Sequence, residues 1–221
     1  MPRVLGLFAK WPEPGAVKTR LTKDSAFGAA VARAFLLDTV SRLRAVDAQR
    51  LLVYAPPDAA ADFAQLVPEG FHFTPQTDGE LGRRLTRFFA SHLNEGTTAV
   101  VAVGADSPTL PRNFVEQAFT ELKHADVVLG PATDGGYCLI GCSRVIPSLF
   151  TDIPWGSSCV LVETIARLED SGCRLAMLPP WYDVDTPEGW DMLCGHVAAL
   201  RRAGLDPGVP HTEALLRKTS S

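Results

Sequence analysis

The chain has 221 residues, 46% of them hydrophobic and 21% charged, which is enough apolar content to bury one substantial core. Its formal net charge of −4 argues against a nucleic-acid partner, which would need a basic surface. No apolar run approaches the roughly 20 residues that span a bilayer, and residues 4–9 are too short for a secretory signal core, so a soluble cytoplasmic protein without a membrane span is expected.

The first apolar run, residues 4–9, reads as a strand. It leads into Lys10-Trp11-Pro12-Glu13-Pro14-Gly15-Ala16-Val17-Lys18-Thr19-Arg20-Leu21, a cationic Pro/Gly loop. Residues 1–25 carry a net +3 and leave −7 for the remainder, so a small anion is favoured here. Gly15 permits tight backbone geometry beside Pro14, and Lys10, Lys18 and Arg20 supply donors for nucleotide phosphates. A solvated basic loop of no consequence is the bland alternative. No GxxxxGK[ST] follows the strand, and no GxGxxG, so neither a Walker loop nor a dinucleotide fingerprint is present.

A helix is predicted over 26–44, with Phe27, Ala30, Val31, Ala34, Phe35 and Leu37 on a wide apolar stripe. Asp38 falls on that stripe with no partner evident from the sequence. Further strands are predicted at 51–55, 71–74, 99–103, 127–130, 137–140 and 175–178. Helices are predicted at 59–66, 81–93, 114–123, 159–170 and 190–202. This alternation implies a three-layer α/β/α sandwich with a mainly parallel sheet. Residues 127–131 and 137–141 are joined by a link too short for a crossover helix, so an antiparallel element is expected there. Residues 1–200 read as one domain and 201–221 as an appended turn and short helix that can fray.

In open α/β sheets ligands bind beyond the carboxyl ends of the strands. Asp106 follows the strand at 99–103 and precedes Pro108, which fixes the backbone that carries it; such an acid suits a magnesium or manganese ion, and Asp185 is the complementary acid, with Asp183 behind it. Turn and cap chemistry at Thr186-Pro187 is the competing reading for both. Asp134 in Asp134-Gly135-Gly136 can face an acceptor, although Asp-Gly is also a common hairpin recipe. Gly79 and Glu80 mark either a helix entry or a loop over a bound base and sugar. Trp11, Trp155 and Trp181 can stack on substrate or pack, with packing the simpler reading. The five cysteines include no CxxC pair and read as buried thiols, and the five histidines share no metal spacing.

Lys10-x-Pro12-x-Pro14-Gly15-x-Val17-Lys18-Thr19-Arg20-Leu21, Gly104-Ala105-Asp106-Ser107-Pro108-Thr109-Leu110-Pro111, Asp134-Gly135-Gly136-Tyr137 and Asp183-Val184-Asp185-Thr186-Pro187 together resemble a bacterial glycosyltransferase-A-fold family. That family lies in the nucleotide-diphospho-sugar transferase superfamily, near phospholactate guanylyltransferase and the molybdenum-cofactor guanylyltransferases. The resemblance covers roughly residues 3–195. It implies that the first loop surrounds nucleotide phosphates, that Asp106 stands at the metal position and that Asp185 supplies the second acid. The Gly-Gly-x-Ser-x-Arg-Met-Gly start of the molybdenum-cofactor enzymes is absent, and Lys18-Thr19-Arg20-Leu21 is closer to the phospholactate type.

The activity expected on these grounds is a magnesium-dependent transferase acting on a nucleotide-activated substrate and a small acceptor. Glycosyl transfer from a nucleotide sugar leads, and nucleotidyl transfer from a nucleoside triphosphate is the alternative. In either, Lys18, Arg20, Asp106 and Asp134 carry the chemistry, and Lys10, Pro14, Gly15, Lys18, Arg20, Gly79 and Glu80 bind the nucleotide. A non-catalytic nucleotide-binding module is a third reading. Base, acceptor and oligomeric state are left open by these motifs.

Overall fold

A computed structural model describes residues 2–93, 97, 99–169 and 171–219. Among these residues seven strands form one sheet: β1 (Arg3–Lys10), β2 (Gln49–Ala55), β3 (His72–Pro75), β4 (Ala99–Gly104), β5 (Val127–Pro131), β6 (Tyr137–Cys142) and β7 (Leu175–Met177). Their spatial order is β3-β2-β1-β4-β6-β5-β7. Every neighbouring pair is parallel except those made by β6, which runs antiparallel to β4 and β5 alike. The short link after β5 forces this arrangement, because five residues can close a hairpin but cannot cross over a sheet. It also places the start of β6 beside the carboxyl end of β4.

Among the described residues there are seven α-helices, α1 (Ser25–Leu43), α2 (Ala60–Leu66), α3 (Leu81–His92), α4 (Arg112–Glu121), α5 (Val160–Glu169), α6 (Pro187–Arg202) and α7 (Pro210–Thr219), and a 3-10 turn at Pro57–Ala59 precedes α2. They cover both faces of the sheet. Alternation along β1 sends Leu5, Leu7 and Ala9 into a core shared with α1, α2 and α4, and Val4 into a second core with Phe88 and Phe89 of α3 and Leu168 of α5. Cap chemistry sets the helix entries. Asp24 Oδ1 accepts from Ala26 N and Phe27 N at the start of α1. Thr186 Oγ1 accepts from Gly189 N ahead of Pro187, so α6 begins three residues earlier than its apolar pattern suggests. Asp170, the last residue of the helix expected over 159–170, lies outside the described residues.

α6 runs two residues past the boundary expected at 200, and α7 packs on α1 rather than standing clear; residues 220 and 221 of the expected extension lie outside the described residues. The docking explains Asp38. Its carboxylate is fully buried and accepts from His211 N at 3.0 Å, Thr212 N at 2.8 Å and Thr212 Oγ1 at 2.7 Å, capping α7 from the middle of α1. Burial raises its pKa against the pull of those donors. Arg42, one turn further on, donates to Pro207 O and Gly208 O. Asp38→Ala leaves three donors unmatched in a dry interface, and a loss of about 2 kcal/mol in urea-unfolding stability is expected.

Candidate functional site

A cleft of about 580 Å³ opens at the carboxyl ends of β1 and β4, with Tyr137 and Cys138 at the start of β6 forming part of its wall. Its lining includes Lys10, Lys18, Arg20, Gly79, Glu80, Asp106 and Asp185. Pro14 and Gly15 are exposed outside that lining, and Gly15 takes a positive φ of +82° in the turn that Ala16 N closes by donating to Glu13 O.

Three loops meet at Lys18. Its ammonium donates to Asp106 Oδ1, to Asp185 Oδ1 at 2.8 Å and to Val184 O at 2.9 Å. Its side chain is only 3% exposed, although Asp106 is 53% exposed. The ring centroid of Phe35 lies 5.1 Å from Nζ, a cation–π contact that closes the inner side. Val184 N donates to Asp106 O, so the two acid-bearing loops are also joined through their backbones. Arg20 Nη2 takes the other oxygen of Asp185 at 2.8 Å. Lys18 adopts a left-handed backbone with φ of +53°, uncommon for a residue with a side chain and costing about 1 kcal/mol or more.

Burial works against the charge on Lys18, yet Asp106 and Asp185 outweigh it and hold the ammonium above its ordinary pKa. Burial likewise pushes Asp185 up, and Lys18 with Arg20 overcomes it, leaving this carboxyl below its ordinary value. Asp183 has no such compensation. Burial, followed by the charges of Asp134, Asp185 and Asp106, pushes its pKa up to about 6. The four aspartates therefore form an acidic field for which Lys18 and Arg20 are the countercharge.

Asp134 stands exposed outside the cleft lining, where its Oδ1 accepts from Gly136 N at 2.8 Å. Its turn is held against the segment before α5: a side chain on Gly135 would begin 2.2 Å from Ser158 O. Gln76 and Arg84 line the cleft without belonging to any motif. Gln76 Nε2 donates to Ala9 O and Val53 O, its Oε1 accepts from Arg84 Nη1, and Arg84 Nε donates to Gly79 O. The signal that marks Gln76 is positional, since it is the first residue beyond the carboxyl end of β3. The tryptophans pack: Trp11 meets Phe63, Trp155 meets Tyr137 and Phe150, and Trp181 stacks on Tyr182. Among the described residues no three His, Cys, Asp or Glu side chains are grouped closely enough to hold a metal by themselves, and no helix is long and apolar enough to cross a membrane.

The fold is that of the nucleotide-diphospho-sugar transferase-like proteins. A solved structure from Desulfovibrio desulfuricans G20, described as a candidate nucleotide-diphospho-sugar transferase, is 32% identical over 99% of this chain and 98% of its own, with a TM-score of 0.85. A cytidylyltransferase from Leptospira borgpetersenii serovar Hardjo-bovis shares the fold at 11% identity, covering 100% of this chain and 96% of its own, with a TM-score of 0.59. The 4-diphosphocytidyl-2C-methyl-D-erythritol synthase of Anaerococcus prevotii does so at 9% identity, 89% and 99% coverage and a TM-score of 0.57. The family model described as an uncharacterized protein conserved in bacteria, DUF2064, matches residues 36–157, and the chain belongs to that family. No curated protein matches it.

The raised pKa of Asp183 has a definite sign. The native state holds this proton more tightly than the unfolded chain, whose ordinary value is near 3.8, so the contribution to stability is present at low pH and is lost as pH rises through about 6. Asp183→Asn, neutral at every pH, is expected to raise the melting temperature at pH 8 by more than it does at pH 5, as differential scanning calorimetry would read.

Proposed function

We propose that this protein is a magnesium-dependent transferase that acts on a nucleotide-activated substrate, with glycosyl transfer from a nucleotide sugar to a small acceptor as the leading reaction. The observation that carries this reading is the junction of Lys18 and Arg20 with Asp106 and Asp185 beside a cleft large enough for a nucleotide. The description of the Desulfovibrio protein supports the same class.

A divalent ion fits the donors present. The half-exposed Asp106 places only Oδ1 on Lys18, and Asp183, which burial first and the charges of Asp134, Asp185 and Asp106 after it hold above its ordinary pKa, is a further acid close by. Asp106 and Asp185 would hold the ion, with Asp183 as the neighbouring acid. When bound, it supplies positive charge to the leaving phosphate.

The chain's own groups provide the rest. Glycosyl and nucleotidyl transfer both build negative charge on a phosphate leaving group. Lys18 and Arg20 stand at the acids to offset that charge in the transition state, and Lys10 on the rim positions the phosphates. Gly79 and Glu80 line the same cleft and take the base and sugar. Asp134 keeps Oδ2 clear of its own turn and orients or deprotonates the acceptor hydroxyl.

Nucleoside triphosphates and nucleotide sugars tested by thermal shift, with and without magnesium, are expected to give a magnesium-dependent rise for one base. With the donor so named, turnover with a small hydroxyl acceptor should release a nucleoside diphosphate. Pyrophosphate in its place assigns nucleotidyl transfer, and magnesium-independent shifts without turnover assign the binding module. Asp106→Asn and Arg20→Ala should each lower kcat about 100-fold; unchanged turnover in Asp106→Asn overturns the catalytic role of the acid site.

A further inference from the structure

Lys18 does more than contribute charge to the cleft, because of where its ammonium sits. An ammonium has three N–H donors, and all three are used, on Asp106 Oδ1, Asp185 Oδ1 and Val184 O. An ion shared by those two carboxylates would have to occupy the space that Nζ already fills. Asp185 cannot turn its other oxygen to the task, since Arg20 holds it. Nor has the ammonium a free position inside the protein: the Lys18 side chain is 3% exposed and the Phe35 ring closes its inner side.

We infer that Lys18 is a resident countercation that keeps the Asp106–Asp185 site closed to metal until nucleotide phosphate draws the ammonium out of it. The inference rests on the metal-dependent reading proposed above. A metal ion arriving alone must evict a buried ammonium from three acceptors and offers it none in return, which leaves a charge without partners. A phosphate arriving alone must pull the same ammonium from two carboxylates and leave them facing each other. Together the two ligands solve both problems, because the ion replaces the ammonium between the acids and the phosphate oxygens receive the ammonium. Lys10, Thr19 and Arg20 line the same cleft, so the phosphate's place lies directly beside the ammonium's exit. Metal and nucleotide then favour each other's binding by the same factor, as linkage requires.

The test uses Mn2+ alone on the nucleotide-free protein, with bound metal read from the loss of the free-ion electron paramagnetic resonance signal. Lys18→Met is expected to bind Mn2+ about tenfold more tightly than the unaltered protein, within the usual range of such couplings. Adding Asp106→Asn to that variant should abolish the gain. Lys18→Gln, which keeps a polar group between the carboxylates but carries no charge, is measured alongside and serves where Lys18→Met does not fold. Equal Mn2+ affinity in the unaltered protein and the folded variants overturns the inference and leaves the metal site standing. No Mn2+ uptake by any of them overturns the inference together with the metal half of the proposed function.

Discussion

One ammonium group organises the functional end of this molecule. The loop after β1, the loop after β4 and the segment before α6 belong to distant stretches of chain, and their acids would repel one another if brought together unassisted. Lys18 makes their convergence stable by donating to a carboxylate on each of two loops and to the backbone between Asp183 and Asp185. The sheet supplies the frame. β1 and β4 are adjacent and parallel, so their carboxyl ends lie side by side and the loops that leave them start as neighbours.

The elements themselves were largely legible in the sequence, because burial on both faces gives the parallel strands continuous apolar runs and helical spacing separates them. Boundaries moved where local chemistry outranked periodicity, as at Pro187, which the Thr186 cap pulls into α6. The spatial order of the strands was not legible beyond the antiparallel hairpin. Nothing in the composition of β6 states that it separates β4 from β5. Asp38 shows the same limit from the other side: a buried acid on an apolar stripe makes sense only once the start of α7, more than 170 positions later, is seen to need a cap.

The site divides in the same way. Residue types and their positions after strands pointed to Lys18, Arg20, Asp106 and Asp185. That Lys18 bridges the two acids is a tertiary fact, with 88 and 167 positions between the partners. Charge crowding on Asp183 likewise depends on Asp134 and Asp106 arriving from other loops. Gln76 and Arg84 belong to no recognisable motif, yet they brace the cleft wall through Ala9, Val53 and Gly79, so their contribution depends on shape before chemistry.

The reversed direction of β6 bears on how such a protein can change over generations. Because the strand runs against its neighbours, one short contiguous stretch, Tyr137 and Cys138 directly after the turn at Asp134, builds a wall of the cleft far in sequence from the loop after β1. Substitutions at those two wall positions can leave the turn itself alone, which Gly135 holds against Ser158 and whose register the ladder behind it fixes. Diversification on that side can proceed while the lysine-centred junction stays intact, so one wall of the cleft is free to change without disturbing the other.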